Sequence, residues 1–453
     1  MLRHKNSLIL AKESPKQRFW AFLFVYMKKK LYLCTLFYML TRIVKNMTAL
    51  GVLQIANYLI PLLVLPVVSR VLGATLFGSV GYAQNIVTYL TLLVNYGFEY
   101  SATRQIALAG DDKERKRHLF WSVITAKTVL LVISFAVLGV LPFFMERVAC
   151  DPRLYVYTAL TNVGIVFFPT WYLQGEQQMD KMAWANFFTK LLGAVMVIAV
   201  VREASLYRLY PLLLSLASIL VGVGALVYVI RHFRIGAFVL TRESMREVLA
   251  AGGPIFLNNV FVSLYTTVNM TLLGGFADDA AIGYFSAAQR LILALNMVVV
   301  LPVSTAVYPE ISRRFQESKA EGARFMKRVL LFAGLAAAGV SLLTWLTAPL
   351  VIPVIYGAGY EPSVDILRWL SPLPFFVMTA TLLTVQGLYG MGLHRWAPWV
   401  GLMLATICIS LNLWLLPQYG VGAVCFSWNM AEMMECVIVG LILLTKGRKL
   451  CSI

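Results

Sequence analysis

Apolar residues in this chain come in blocks of about 20, divided by short stretches that hold most of the charge, and a block of that length is what a helix needs to cross a bilayer. Twelve such blocks can be drawn, at approximately 48–69, 76–98, 119–141, 154–173, 183–201, 208–230, 252–273, 281–308, 327–347, 364–390, 396–416 and 420–444. Backbone amides in lipid need internal partners, so these blocks predict helices; barrel strands would show short alternating segments instead. The expected fold is an all-α membrane protein with about 12 transmembrane helices. The loops between blocks are too short to hold a domain with its own core.

Composition agrees with the pattern. Of 453 residues, 60% are hydrophobic and 13% charged, and mean hydropathy is +0.76. Soluble domains carry about 25% charged residues, so this chain lacks the polar surface for a water-soluble particle. The net charge of +18 would suggest nucleic acid in a soluble protein. Its distribution here gives another cause. Arg104, Lys113, Arg115, Lys116, Arg117, Arg231, Arg234, Arg242, Arg246, Arg313, Arg314 and Lys319 all fall on loops of one side, against Arg70, Arg147, Arg153, Arg202 and Arg208 on the other. The richer side is expected to be cytoplasmic, with both termini there and no nucleic-acid partner.

Residues 1–45 carry ten Lys and Arg and two apolar patches, Phe19–Tyr26 and Leu31–Leu40, each too short to span. This basic N-terminal extension reads either as an interfacial arm or as an over-called start, and the second is preferred because Met47 opens the span-bearing region. The six cysteines form no CxxC pair and the four histidines are scattered, so neither a metal nor another cofactor is expected. There is no GxxxxGK[ST], HExxH or GxSxG sequence, and the chain is not expected to be an enzyme.

The chain also repeats itself. Span two contains Phe77-Gly78, then Ala83-Gln84; span eight contains Ile282-Gly283, then Ala288-Gln289. Leu72-Gly73 and Leu273-Gly274 precede them. Gln174-Gly175 is followed by Trp184-Ala185, as Gln386-Gly387 is by Trp396-Ala397. Order and register hold across the chain, which predicts two six-helix bundles, 46–231 and 232–445, and a cytoplasmic tail at 446–453. Both bundles enter the membrane in one direction, and parallel repeats of this kind rock about a site at their interface.

Arg70-Val-Leu-Gly73 with Phe77-Gly78, the stretch Trp171-Tyr-Leu-Gln174-Gly175-Glu-Gln-Gln-Met179 with Asn186 and Lys190, and Tyr356-Gly357 followed by Leu367-Arg368-Trp-Leu-Ser-Pro372 carry a family resemblance. Residues 46–445 resemble the Wzx-type O-antigen or capsule flippases of the multidrug/oligosaccharidyl-lipid/polysaccharide exporter superfamily. The resemblance implies a V-shaped bundle like that of the multidrug exporters. It also implies an undecaprenyl-diphosphate-linked glycan as substrate, the bacterial inner membrane as location, and the polymerase and glycosyltransferases of the same pathway as partners. A multidrug or cation antiporter on the same scaffold is the alternative.

Charges inside spans cost about 2.5–3.5 kcal/mol on insertion scales and usually face a cavity or a partner. Lys127, Lys190, Arg290 and Arg368 are the basic ones singled out; if they converge they make a cationic cavity suited to diphosphate, with snorkelling as the competing role. Glu432 and Glu435 share one helix face and suggest ion coupling, or an ion pair with a basic neighbour. Asn57, Gln84, Asn259, Asn269 and Gln289 could read sugar hydroxyls, against the plainer role of bonding neighbouring helices at about 0.6 kcal/mol each.

Overall fold

The computed structural model describes residues 59–447, and among these every regular element is helical. Asn57 and the extension 1–45 lie outside the described residues. Among the described residues, ten helices are long and apolar enough to span. The other two of the twelve spans are accounted for by two breaks. Residues 59–95 are helical but turn at Gly73, whose φ of 66° is a left-handed conformation open to glycine, so span one ends and span two begins there. Span four is divided into Pro152–Ala159, Thr161–Phe167 and Thr170–Gly175. Pro169 is one reason: it drives Phe168 into extended backbone, as the residue before a proline prefers.

Short polar side chains start the long helices. Asp112 accepts from Arg115 N at 3.0 Å to open Lys113–Val140, and Asp278 accepts from Ala281 N at 2.8 Å to open Asp279–Glu317. Thr241 and Ser318 do the same for Arg242–Thr266 and Lys319–Tyr356. The segment 309–326, expected as a loop, is almost wholly helical. Glu310 pairs with Arg313 and Arg314, and Glu321 with Arg324, at spacings of three and four. Such pairs, though solvent-screened, favour continuing the helix beyond the apolar stretch.

The cores explain the architecture. On the side poor in Lys and Arg, one continuous core joins both halves, running from Val68, Phe77 and Tyr155 to Phe285, Ile352 and Tyr356. On the basic side the core divides. Phe98, Phe120, Trp171, Tyr172 and Val229 form one cluster with Val248 of span seven. Ile311, Phe315, Leu388, Leu404 and Val439 form another. A bundle with one shared core at one end and separate cores at the other is a V that opens toward the basic side. Span seven straddles the arms: it packs on residues 98–109 and 113–140 as well as on Ala397–Tyr419.

Candidate functional site

At the closed end of the V, spans two and eight approach until their backbones touch. A Cβ on Gly78 would lie 2.6 Å from Gly283 N and closer still to the Asp279 carbonyl; one on Gly283 would run into the Ala74 carbonyl. Only glycine permits this approach. Moving toward the basic side, a Cβ on Gly81 would meet Ser286 Oγ at 2.6 Å, and Gln84 then reaches Arg290. The repeated apolar-Gly-x4-Ala-Gln motif is thus the surface along which two related helices seal together.

Polar and aromatic groups reinforce the seal. Arg147 pairs with Asp279 and donates to the Gly274 carbonyl at 2.6 Å and to the Ala277 carbonyl, while Ser79 Oγ donates to Asp279 Oδ2 at 2.9 Å. Arg70 donates to the Val354 carbonyl at 2.9 Å. The Phe77 ring meets Tyr356 and Tyr360 edge-on at 5.9 and 6.0 Å. Every one of these contacts joins the first six spans to the last six.

Two large cavities flank the seal. The outer one, about 1060 Å³, is lined by Glu146, Arg147, Asp151, Tyr207, Arg208 and Asp279 among others. Arg208 lies 2.9 Å from Asp151. Burial, together with the hydrogen bond Tyr207 donates to Asp151, pushes the Tyr207 phenol above its ordinary pKa, so it remains a donor at neutral pH. Acidic and basic groups nearly balance here.

The inner cavity, about 810 Å³, lies on the basic side of the seal. Gln84, Asn85 and Thr88 of span two, Gln289, Arg290 and Asn296 of span eight, and Trp428 and Glu432 of span twelve are part of its lining. Arg290 is its basic residue. The Arg290 Nη2 donates to Gln84 Oε1 at 2.5 Å, Nε donates to Ser286 Oγ at 3.4 Å, and the guanidinium lies 4.9 Å from the Phe77 ring centre. Span ten passes the cavity as a π-helix, Leu382–Tyr389, pinned where Gln386 Nε2 donates to the Ser304 carbonyl at 2.9 Å.

The cavity brings together Arg290, Glu432, Gln84 and Gln289 of the candidates and leaves the rest elsewhere. Lys127 is fully buried and donates to the Ile165 carbonyl at 3.3 Å, with Glu99 as its electrostatic partner. Lys190 shares a helix face with the buried Ala183, Ala194 and Val197, yet its own side chain is exposed and lines neither of these cavities. Arg368 stacks on Trp345 at 5.2 Å and pairs with Asp365 at 3.7 Å. The expected convergence of four cations therefore reduces to one in the inner cavity. The reason is helix rotation: each of these charges found or kept a different neighbour. Glu435 turns away from the cavity and accepts from Thr384 Oγ1 at 2.8 Å. Asn269 is wholly buried and accepts from Asn412 Nδ2 at 2.8 Å, which is the packing role. Asn259 lines a smaller cavity of about 220 Å³ with Asn95 and Glu99. The Arg147–Asp279 latch was not anticipated; its signal was the position of Asp279, opening the span that carries the repeated motif.

A V of helices, sealed at one end by repeat-related spans and holding a polar cavity beneath the seal, is the architecture of a membrane transporter. Residues 43–315 match the family model described as polysaccharide biosynthesis protein, and the chain belongs to that family. It is 30% identical to a putative O-antigen transporter of Escherichia coli (strain K12) over 76% of this chain and 82% of that protein. A putative O-antigen transporter of Shigella dysenteriae is 26% identical over 86% and 97%. Among solved structures, the lipid II flippase MurJ in an inward closed conformation matches with a TM-score of 0.71 at 15% identity, covering 87% of each chain. An inward-facing multidrug resistance MATE family transporter matches with a TM-score of 0.67 at 16% identity, covering 87% of this chain and 94% of that one. These two show a shared fold.

Proposed function

We propose that this chain is a flippase that moves a lipid-diphosphate-linked oligosaccharide, an O-antigen, capsule or exopolysaccharide repeat unit on undecaprenyl diphosphate, across the bacterial inner membrane by alternating access. It is a transporter and not an enzyme. Both termini are cytoplasmic, and residues 46–231 and 232–445 are the two bundles that rock. The observation that carries the reading is Arg290 as the basic residue of an amide-rich cavity. A guanidinium recognises diphosphate oxygens through paired donors, and Gln84, Gln289 and Asn296 offer both donors and acceptors to a glycan. The cavity lies on the basic side of the seal, which on this reading faces the cytoplasm, so cargo loads from there with its lipid tail left in the bilayer.

Glu432 in the same cavity is the coupling group, releasing or taking up a cation as the halves exchange positions, with Glu435 one turn away. The polymerase and glycosyltransferases of the same pathway supply and consume the cargo. The test is reconstitution. Proteoliposomes holding the full chain are expected to move a fluorescent lipid-diphosphate oligosaccharide between leaflets, with Arg290→Gln inactive. Equal rates for wild type, Arg290→Gln and empty vesicles would overturn the reading, and extrusion of organic cations instead would favour the antiporter.

A further inference from the structure

The bond between Gln84 and Arg290 crosses the interface of the two halves and, among the described residues, is the hydrogen bond between spans two and eight that lies nearest the basic side. Gln84 has no other side-chain hydrogen bond among the described residues, so Arg290 is its sole protein anchor there. On the other face of the guanidinium sits Phe77, whose ring packs on Tyr356 and Tyr360 within the sealed core. One residue thus touches both the open cavity and the closed gate. Resting on the flippase reading above, we infer that Gln84 is a positioning residue that clasps Arg290 in the unloaded protein and yields it to the diphosphate of the cargo, so that loading removes a rung of the outer seal.

The physics sets the direction. A phosphate group brings charged acceptors that can take a guanidinium through two parallel bonds, and so outcompetes the single neutral amide oxygen of Gln84. It enters from the cavity that Arg290 already lines and competes for the Nη2 donor that Gln84 holds. Bound diphosphate leaves Gln84 free while Arg290 stays with span eight. The ladder from Ala74 to Gly283 then loses its inner end, and the halves part more readily toward the outside. Loading and gate release are one event because they compete for one hydrogen bond.

The test uses the full chain in nanodiscs, with a short prenyl diphosphate that carries no sugar as the probe. Gln84→Leu removes the competitor, and the probe is expected to bind about threefold tighter; Gln84→Glu competes as an ion pair, and binding should weaken by at least about tenfold. A purely structural Gln84 predicts that both variants weaken binding or that neither changes it, and either result overturns the inference. Gln84→Ala, which also removes the competitor, replaces Gln84→Leu where the latter fails to fold, with the same tighter binding expected. Spin labels at Thr75→Cys and Phe276→Cys, both exposed beside the seal, add a second readout. The probe should lengthen their separation in the wild type and leave it unchanged in Gln84→Glu. A wild type that binds no probe, with Arg290→Gln identical to it, would sink the diphosphate reading itself and the inference with it, an outcome distinct from a wild type that binds while the two Gln84 variants change in the same direction.

Discussion

Spans two and eight carry the same motif and are not the same. Gly78 answers to Gly283 and Gln84 to Gln289, a shift of 205 residues, and in that register Asn85 of span two answers to Arg290 of span eight. Both line the inner cavity, but the Asn85 amide is spent on Thr271 Oγ1 at 2.7 Å, whereas Arg290 reaches across to Gln84 and brings the cavity its charge. What the two spans share is the seal, because two related helices crossing at small residues need the same small residues on both. Where they differ, one gives packing and the other gives charge. The repeat encodes the scaffold, and the chemistry enters where the repeat fails.

That contrast can be broken from several directions. The largest effect is expected at Arg290. Losing a hydrogen-bonding charge costs about 1.5–3 kcal/mol, so Arg290→Gln should weaken lipid-diphosphate binding by about tenfold to a hundredfold. Asn85→Ala should change it by less than about threefold, since Asn85 bonds a neighbouring helix at roughly 0.6 kcal/mol. Equilibrium binding in nanodiscs reads both, and equal losses would erase the distinction between the two spans.

Next comes the seal. Gly78→Val forces side-chain atoms onto the Asp279 carbonyl, an overpacking worth about 1–3 kcal/mol, and should lower the thermal midpoint by several degrees. Gly275→Ala, whose added Cβ meets nothing within 4 Å, is the control and should leave the midpoint unchanged.

Smaller effects separate gate from site. Arg147→Gln undoes the latch to Asp279 and should raise the fraction of molecules with a long Thr75–Phe276 label distance, with diphosphate affinity within about twofold of wild type. Lys127→Met keeps the stem and removes the charge; it should shift thermal stability and leave affinity alone, because Lys127 spends its charge on the Ile165 carbonyl. Arg368→Met, already held by Asp365 and Trp345, should move affinity least of all.

The order and helical character of the spans were legible in the chain, because long apolar blocks follow directly from the bilayer as solvent. Their ends were less so. Span eight reaches Glu317 because Glu310, Arg313 and Arg314 continue the helix past its apolar stretch, and span four divides before Pro169. The repeat was visible as letters, and its meaning as a contact surface was not. The site was the least legible part. Four basic residues looked equivalent along the chain, and only the rotation of each helix about its axis turns Arg290 to the inner cavity and Lys127 to a backbone carbonyl. Hydropathy is blind to that rotation in spans whose every face is apolar.

The central claim is that cargo sits in the cavity lined by Arg290. Leu293 lines the same cavity and is 43% exposed, so Leu293→Cys, in a chain freed of its native cysteines, should react with a membrane-impermeant thiol reagent added from the basic side. A lipid-diphosphate oligosaccharide should protect Leu293→Cys and leave Lys190→Cys reactive. Protection at Lys190→Cys with none at Leu293→Cys would place the cargo elsewhere and contradict the account.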